Sequence, residues 1–249
     1  MTSLAPVSPD RVDAVVFDMG GVFAVPAPAP MSELMAAGGV RFELDDSSAR
    51  VAHYAGVAAL TAALVDGAVH ETNPAVWEHY DRAYFASTGL RGTALDEAVA
   101  ARTAARVDGF DTAVIWSHVL VENRAAFARI ARLRPTAIVT NNNGTAVQQC
   151  LDMRICQVGD GDLPSVAAIV DSGVVGVAKP DPAIFAPALD ALGTAADRTL
   201  YVGDTVHADV HGATAAGMPV VQLDPYDHHA HFDHWRLPDV VALAEHLAT

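Results

Sequence analysis

Positive charge is scarce in this chain. Fifteen Lys and Arg residues face thirty Asp and Glu, for a formal net charge of −15. No basic cluster is present to neutralise phosphates, which argues against a nucleic acid or an anionic membrane as partner. Cysteine is nearly absent: Cys150 and Cys156 form no disulfide framework and favour a reducing compartment, where they are read as buried structural thiols. Met1 to Pro9 lacks a basic patch followed by an apolar run, so no signal peptide is expected. No uninterrupted apolar segment reaches membrane-spanning length. The expectation is a soluble, cytoplasmic protein. Aromatic residues are only 6% of the chain while hydrophobic residues are 51%, so Ala and Val supply most of the apolar surface. At 249 residues there is room for one large domain, or for a core with an accessory domain.

The most informative stretch is Val15-Val16-Phe17-Asp18-Met19-Gly20-Gly21-Val22. An apolar, β-branched run stops at a carboxylate and a Gly pair follows. That pattern predicts a buried strand over 13–17, then a sharp turn. Asp18 stands where the strand emerges, and in open parallel sheets ligands bind at such carboxyl ends. A structural Asp opening a turn is the plainer alternative. The next residues, Val22 to Pro30, alternate Pro and Ala from Pro26, which predicts a stiff extended segment that could serve as flap or linker.

From about Met31 to Val121 the pattern is helical. Asp46-Ser47 is a candidate cap for a helix through Val57, Leu60 and Leu64. Asn73-Pro74 opens a second helix, whose stripe of Trp77, Tyr80, Tyr84 and Phe85 reads as core rather than as a ligand box. Thr93 or Asp96 starts a third. Strands then alternate with helices: strands over 136–140, 166–170, 199–202 and 219–223, helices over 122–133, through Val147 and Leu151, over 183–192, over 206–216 and over 238–247. This order predicts an α/β fold, a parallel five-stranded sheet flanked by helices, with an all-helical domain inserted after the first strand. The predicted division is 1–24 with 122–249 for the core and 25–121 for the insert.

Polar groups fall at strand ends or just before helices: Asp18, Thr140-Asn141, Lys179, and Asp204 with Asp209. Parallel strands bring such ends to one edge. Clustered carboxylates repel and call for a cation. All-oxygen ligands suit Mg²⁺, which keeps several waters and takes phosphate oxygens. A hydroxyl and backbone N–H groups at a helix start suit an anion. Together they describe phosphoryl transfer to a carboxylate nucleophile, with metal and lysine absorbing charge.

These residues resemble the haloacid dehalogenase-like (HAD) hydrolase superfamily. The likeness rests on Phe17-Asp18-Met19-Gly20-Gly21-Val22, Val139-Thr140-Asn141, Lys179-Pro180-Asp181-Pro182 and Val202-Gly203-Asp204-Thr205-Val206-His207-Ala208-Asp209, in order and on the predicted strand ends. The resemblance implies a Rossmann-like core and a helical cap of C1 type. It implies Asp18 as nucleophile forming an aspartyl-phosphate, Thr140 and Lys179 on the phosphoryl group, and substrate contacts from Met19, Gly20 and Asn141. It implies Mg²⁺ held by Asp18, the Gly20 carbonyl and Asp204, with Asp209 in the same metal site, supporting it from behind. The substrate class is a small phosphorylated metabolite such as a sugar phosphate, on a monomer or homodimer.

One position departs from the family. Its phosphatases usually carry a second Asp two residues after the nucleophile as general acid; here that residue is Gly20. Losing a general acid typically costs on the order of 10²–10⁴ in rate. A good leaving group, a substituting histidine (His207, His53, His70 or His79) or a catalytically weak phosphate-binding protein would each account for it. A dehalogenase or a phosphomutase fits less well, because Asp204 and Asp209 suit metal and phosphate, and a mutase needs the missing acid. The His-rich segment 228–234 offers Zn²⁺-type ligands, with an exposed loop of incidental histidines as the simpler reading.

Overall fold

The computed structural model describes residues 5–65, 74–107 and 112–249, and divides into two compact units, Met1–Phe23 with Val119–Thr249 and Ala24–His118. Ten strands are present among the described residues: β1 (Ala14–Phe17), β2 (Ala24–Val25), β3 (His118–Val119), β4 (Thr136–Thr140), β5 (Gln157–Val158), β6 (Ser165–Val166), β7 (Ile169–Asp171), β8 (Thr199–Gly203), β9 (Val220–Leu223) and β10 (Arg236–Leu237). Helices α1 (Pro28–Ala37), α2 (Asp46–Val65), α3 (Trp77–Ser87), α4 (Gly92–Val107) and α5 (Thr112–Ile115) build the inserted unit. The larger unit carries α6 (Val121–Leu133), α7 (Ala146–Asp152), α8 (Ser172–Val175), α9 (Ala186–Leu192), α10 (Gly212–Ala215) and α11 (Val240–Leu247).

The central sheet has six parallel strands in the order β10-β9-β8-β1-β4-β7. β1, β4 and β8 are buried along their whole length, as expected for strands covered on both faces. Val16, Ala137, Val139 and Tyr201 pack with Ile184, Phe185 and Ala188 on one face. On the other, Phe17, Phe23 and Phe127 meet with ring centroids 5.2–5.6 Å apart. The chain runs from β1 outward through β4 to β7, then returns beside β1 at β8 and proceeds the other way. The carboxyl end of β1 is therefore where the strand order reverses, the place at which such sheets open a crevice.

Three differences from the sequence reading have local causes. The sheet has six strands rather than five, because the two-residue β10 is too short to show a period. The run read as one strand over 166–170 is two: β6 pairs with β5 in a separate small sheet, and β7 joins β4. A continuous buried run carries no mark of that change of sheet. The Pro-Ala segment is extended at β2 and Ala27 but does not continue so, since α1 begins at Pro28. Pro28 and Pro30 stand in the first turn, where the missing N–H leaves no intrahelical bond unmade.

In the inserted unit, α2 is capped by Asp45, not by Asp46-Ser47. Its Oδ1 accepts from Ser48 N and Ser47 Oγ, each at 2.7 Å. The opening expected at Asn73 lies outside the described residues. The aromatic stripe of α3 is core: Tyr80, Tyr84 and Phe85 pack with Phe42, Val57, Leu60 and Ile115. Gly56 of α2 sits against Tyr80, and a Cβ there would lie 2.6 Å from the ring. We expect Gly56→Ala to destabilise the protein by about 1–3 kcal/mol from overpacking, although Ala is the better helix former by ~1 kcal/mol. A denaturant midpoint that rises in this variant would contradict the packing.

Candidate active site

Lys179 lies in the turn between α8 and α9, only 2% exposed. Asn141, just past β4, holds its backbone from both sides. Lys179 N donates to Asn141 Oδ1 at 2.8 Å, and Asn141 Nδ2 donates to Lys179 O at 3.1 Å. Both ends of the Asn141 side-chain amide are thus spent on placing the lysine. The loop after β4 is fixed in turn by Asp171 at the end of β7, whose carboxylate accepts from Gly144 N, Ala146 N and Gly173 N.

The lysine ammonium reaches three partners. Nζ is 2.8 Å from Asp18 Oδ1, 2.7 Å from Asp209 Oδ1 and 2.9 Å from the Tyr201 hydroxyl. The Asp18 contact is an ion pair without hydrogen-bond geometry, and Asp18 Oδ1 is buried with no hydrogen-bond partner. Asp209 is different. Its Oδ1 also accepts from Tyr201 OH at 2.9 Å, while Oδ2 accepts from Asp204 N at 3.1 Å, Thr205 N at 2.9 Å and Thr205 Oγ1 at 2.7 Å. With both oxygens engaged in this way, Asp209 ties the lysine to the backbone of the β8 end.

Local structure explains how Asp209 gets there. Residues Val206–His211 form a π-helical turn, with Val210 N bonded to Thr205 O, rather than the regular helix expected over 206–216. Such wide turns recur at functional sites. A Cβ on Gly203 would lie 2.3 Å from Asp209 Cγ, so the glycine leaves room for the carboxylate. Gly21 takes a left-handed φ of 67° and turns the chain after Asp18, closed by Phe23 N donating to Met19 O at 2.9 Å.

Asp18, Lys179 and Asp209 are therefore brought together, and Asp204 joins them: one carboxylate oxygen from each of Asp18, Asp204 and Asp209 lies within 4.8 Å of the others. Thr140 ends β4, which pairs with β1 in register, and is buried at the same edge. Gly20 is half-buried; the Met19 side chain is buried with Sδ 3.8 Å from Cys150 Sγ. Burial raises the Asp18 carboxyl to about 7, with Lys179 pulling it back and Asp209 and Asp204 adding to the rise. Burial and the Asp209 charge push Asp204 well above the carboxylate range. For Asp209 burial is outweighed by Lys179 and the Thr205 donors, which hold it low. Lys179 is also desolvated, yet Asp18 and Asp209 keep it firmly protonated. Three carboxylates and one ammonium leave an acidic, all-oxygen donor set with a buried oxygen lacking a hydrogen bond. Those features fit a hard divalent cation.

Two side chains here escaped the sequence reading. Tyr201 sits on a face of β8 that otherwise meets apolar core, and its hydroxyl joins Lys179 to Asp209. Gln222 of β9 is fully buried; its Nε2 donates to Asp204 O at 2.8 Å. A polar residue in an otherwise apolar strand was the available signal in each case. Gln222 also organises the His-rich segment: Nε2 lies 3.1 Å from His229 Nδ1, and Oε1 accepts from His234 Nε2 at 2.6 Å. Asp224 accepts from His228 N and His229 N. Burial, then the nearby Arg236, lowers His234 to about 4. The segment is thus neither a string of incidental exposed histidines nor, among the described residues, a cluster of three metal-ligating groups. Cys150 and Cys156 are buried free thiols.

An α/β protein with carboxylates and a lysine at the reversal point of a parallel sheet is the class defined by this geometry. The sequence model of the haloacid dehalogenase-like hydrolases matches residues 12–217, and the chain belongs to that family. Over 99 residues it is 38% identical to phosphoserine phosphatase of Thermus thermophilus, covering 40% of this chain and 38% of the relative. Over 55 residues it is 42% identical to glyceraldehyde 3-phosphate phosphatase of Methanopyrus kandleri, covering 22% and 24%. The chain thus spans about two-fifths and a quarter of the lengths of these relatives. The fold is shared with the HAD-hydrolase YfnB of Bacillus subtilis, solved bound to magnesium (TM-score 0.60, 16% identity, 96% and 100% coverage). It is shared also with 2-haloacid dehalogenase of Pseudomonas syringae (TM-score 0.51, 19% identity, 95% and 98% coverage). Among the described residues no helix is long and apolar enough to cross a membrane.

Tyr201→Phe removes one acceptor from Lys179 and one donor from Asp209 while leaving their mutual bond. We expect kcat to fall about tenfold, equivalent to ~1.4 kcal/mol, with KM nearly unchanged. Steady-state kinetics of the variant test this, and unaltered kcat would remove Tyr201 from the site.

Proposed function

We propose that the protein is a Mg²⁺-dependent phosphatase acting on a small organic phosphate. The observation that carries this reading is the buried Asp18 carboxylate, 2.8 Å from Lys179 Nζ at the reversal point of the sheet. One Asp18 oxygen attacks phosphorus in line and the ester oxygen leaves, giving an aspartyl-phosphate that water then hydrolyses. Lys179 balances charge on Asp18 and on the phosphoryl oxygens as they shift. Thr140 and the backbone N–H groups of Met19, Gly20 and Asn141 orient those oxygens. Asp18, the Gly20 carbonyl and Asp204 are the residues that would hold Mg²⁺, with Asp209 fixing Asp204 N and Lys179 rather than ligating. Bound there, Mg²⁺ supplies Lewis-acid neutralisation of the phosphoryl group. The phosphatase names of the two sequence relatives support the same reaction class. We further propose that the inserted unit 24–118 is the cap that selects substrate, in a cytoplasmic monomer or homodimer.

Gly20 supplies no proton to the leaving group, so the reading favours substrates that depart as stable anions, such as an acyl phosphate or a sugar 1-phosphate. Among the histidines weighed as substitutes, His53 is buried in the helical unit with Nδ1 2.9 Å from Tyr80 OH, and His79 is exposed on α3. His70 lies outside the described residues, and His207 is half-buried on the π-helical turn beside Asp209. The departure at Gly20 also favours a second reading, a phosphate-binding protein with little turnover. Mg²⁺-dependent phosphate release from p-nitrophenyl phosphate and from a panel of acyl and sugar phosphates separates the two. Asp18→Asn is expected to lower that release by roughly 10³-fold or more. Activity near the parent level would refute the nucleophile.

A proton on Asp18 competes with a cation. With that carboxyl raised to about 7 and Asp204 also raised, the Mg²⁺ affinity of the metal-free protein is expected to climb at least tenfold per pH unit below neutrality. Calorimetric titration at several pH values reads both the affinity and the proton released; a flat affinity between pH 5.5 and about 7 would contradict it. Without metal, folded Asp18 holds a proton that the unfolded chain loses above about 3.8. Its contribution to stability is therefore full below that pH and is lost as pH rises to about 7.

A further inference from the structure

The helical unit buries a positive charge that the phosphatase reading does not use. Helix α4 carries Arg102 and Arg106 one turn apart, and both act on Asp81 of α3. Arg106 takes the Asp81 carboxylate with both ends of its fork: Nη2 donates to Oδ1 at 2.6 Å and Nη1 to Oδ2. The same guanidinium lies 5.5 Å from the Trp77 ring centre. That arrangement satisfies Arg106 and leaves Arg102 over. Arg102 is 3% exposed, and its Nη1 is buried with no hydrogen-bond partner. One turn along α3 from Asp81, Tyr84 is 1% exposed, and its hydroxyl is likewise buried without a partner. The two residues are close enough for the Arg102 charge to act on the Tyr84 phenol.

Among the described residues, two guanidiniums and one carboxylate leave one positive charge in surplus, with Tyr80 and Tyr84 near enough to act on Arg102. Taking an unpaired charge out of water is strongly unfavourable, and a buried polar atom without a partner adds to the cost. In a chain with twice as many acidic as basic residues, an added carboxylate would be a ready remedy, yet among the described residues no carboxylate forms an ion pair with Arg102. A planar fork of N–H donors beside a hydroxyl matches the geometry of an oxyanion with two or more acceptor oxygens. We propose that Arg102 and Tyr84 form an oxyanion-binding site inside the helical unit, taking the carboxylate or phosphoryl group of a small molecule. Its residues all belong to the helical unit, and it stands or falls independently of the proposed reaction.

The test uses the whole protein in EDTA, at constant ionic strength set with chloride, and reads thermal unfolding and calorimetric binding with malonate and with inorganic phosphate as probes. The parent protein is expected to unfold at progressively higher temperature, saturably, with at least one probe; the stronger probe assigns the group as carboxylate or phosphoryl. Arg102→Met is expected to lose the response, at least tenfold in affinity, while unfolding no earlier than the parent in chloride alone, since a buried unpaired charge has been replaced. Tyr84→Phe is expected to weaken binding several-fold. Arg82→Met, at a half-exposed arginine of α3 paired with Glu78 and Asp96, is expected to respond as the parent does. Arg102→Lys keeps the charge and loses the fork, and is expected to bind at least tenfold more weakly. No response of the parent to either probe, or equal affinity in the parent and the Arg102 variants, would overturn the site.

Discussion

The buried ammonium of Lys179 is the constraint on which the rest of the site depends. Three carboxylates could not share this edge of the sheet without it, because burial penalises each charge and each raises the pKa of its neighbours. One lysine is not enough for all three. It holds Asp209 low, while Asp18 and Asp204 are left raised, and the site stays short of positive charge. That imbalance makes the donor set suitable for a divalent cation.

The fold supplies the rigidity this arrangement needs. Lys179 comes from a turn with no strand of its own, so its position is borrowed from β4 through the two bonds to Asn141 and from β8 through Asp209 and Tyr201. Asp209 in turn is reached only because Gly203 leaves space and the π-helical turn swings the carboxylate back over the strand end. Groups whose own positions are locked by hydrogen bonds lose little freedom on meeting a substrate, and preorganisation of that kind is what electrostatic catalysis requires.

The two units solve burial differently. The α/β unit covers a parallel sheet on both faces with Val, Ala, Phe and Ile, and gathers its charged groups at the strand ends, with Tyr201 and Gln222 as polar exceptions inside strands. The helical unit packs aromatic side chains across α2 and α3, where the absence of a side chain at Gly56 admits the Tyr80 ring, and it buries a polar set centred on Asp81 within that apolar packing. Its sequence carries no motif, and which of its polar residues are buried is decided only when the helices are brought together.

The sequence determined a good deal by itself. Apolar runs ending in Asp18, Thr140 and Gly203-Asp204 marked three of the four inner strands, because a doubly covered strand has no polar face to interrupt it. The residue types at their ends, with Lys179, defined an acidic oxygen-donor site. Tertiary structure decided the rest. Which carboxylate is free to act and which is consumed in bracing depends on distances between elements far apart in the chain: Asp209 was expected to support the metal site from behind, and its oxygens are taken by Lys179, Tyr201, Asp204 and Thr205. The Asn141 side chain is spent on a backbone 38 residues away, which no local pattern announces. Local periodicity records which face of a strand is buried, not which distant group a side chain meets there, so pairing, and with it the division of labour among these residues, became visible only in three dimensions.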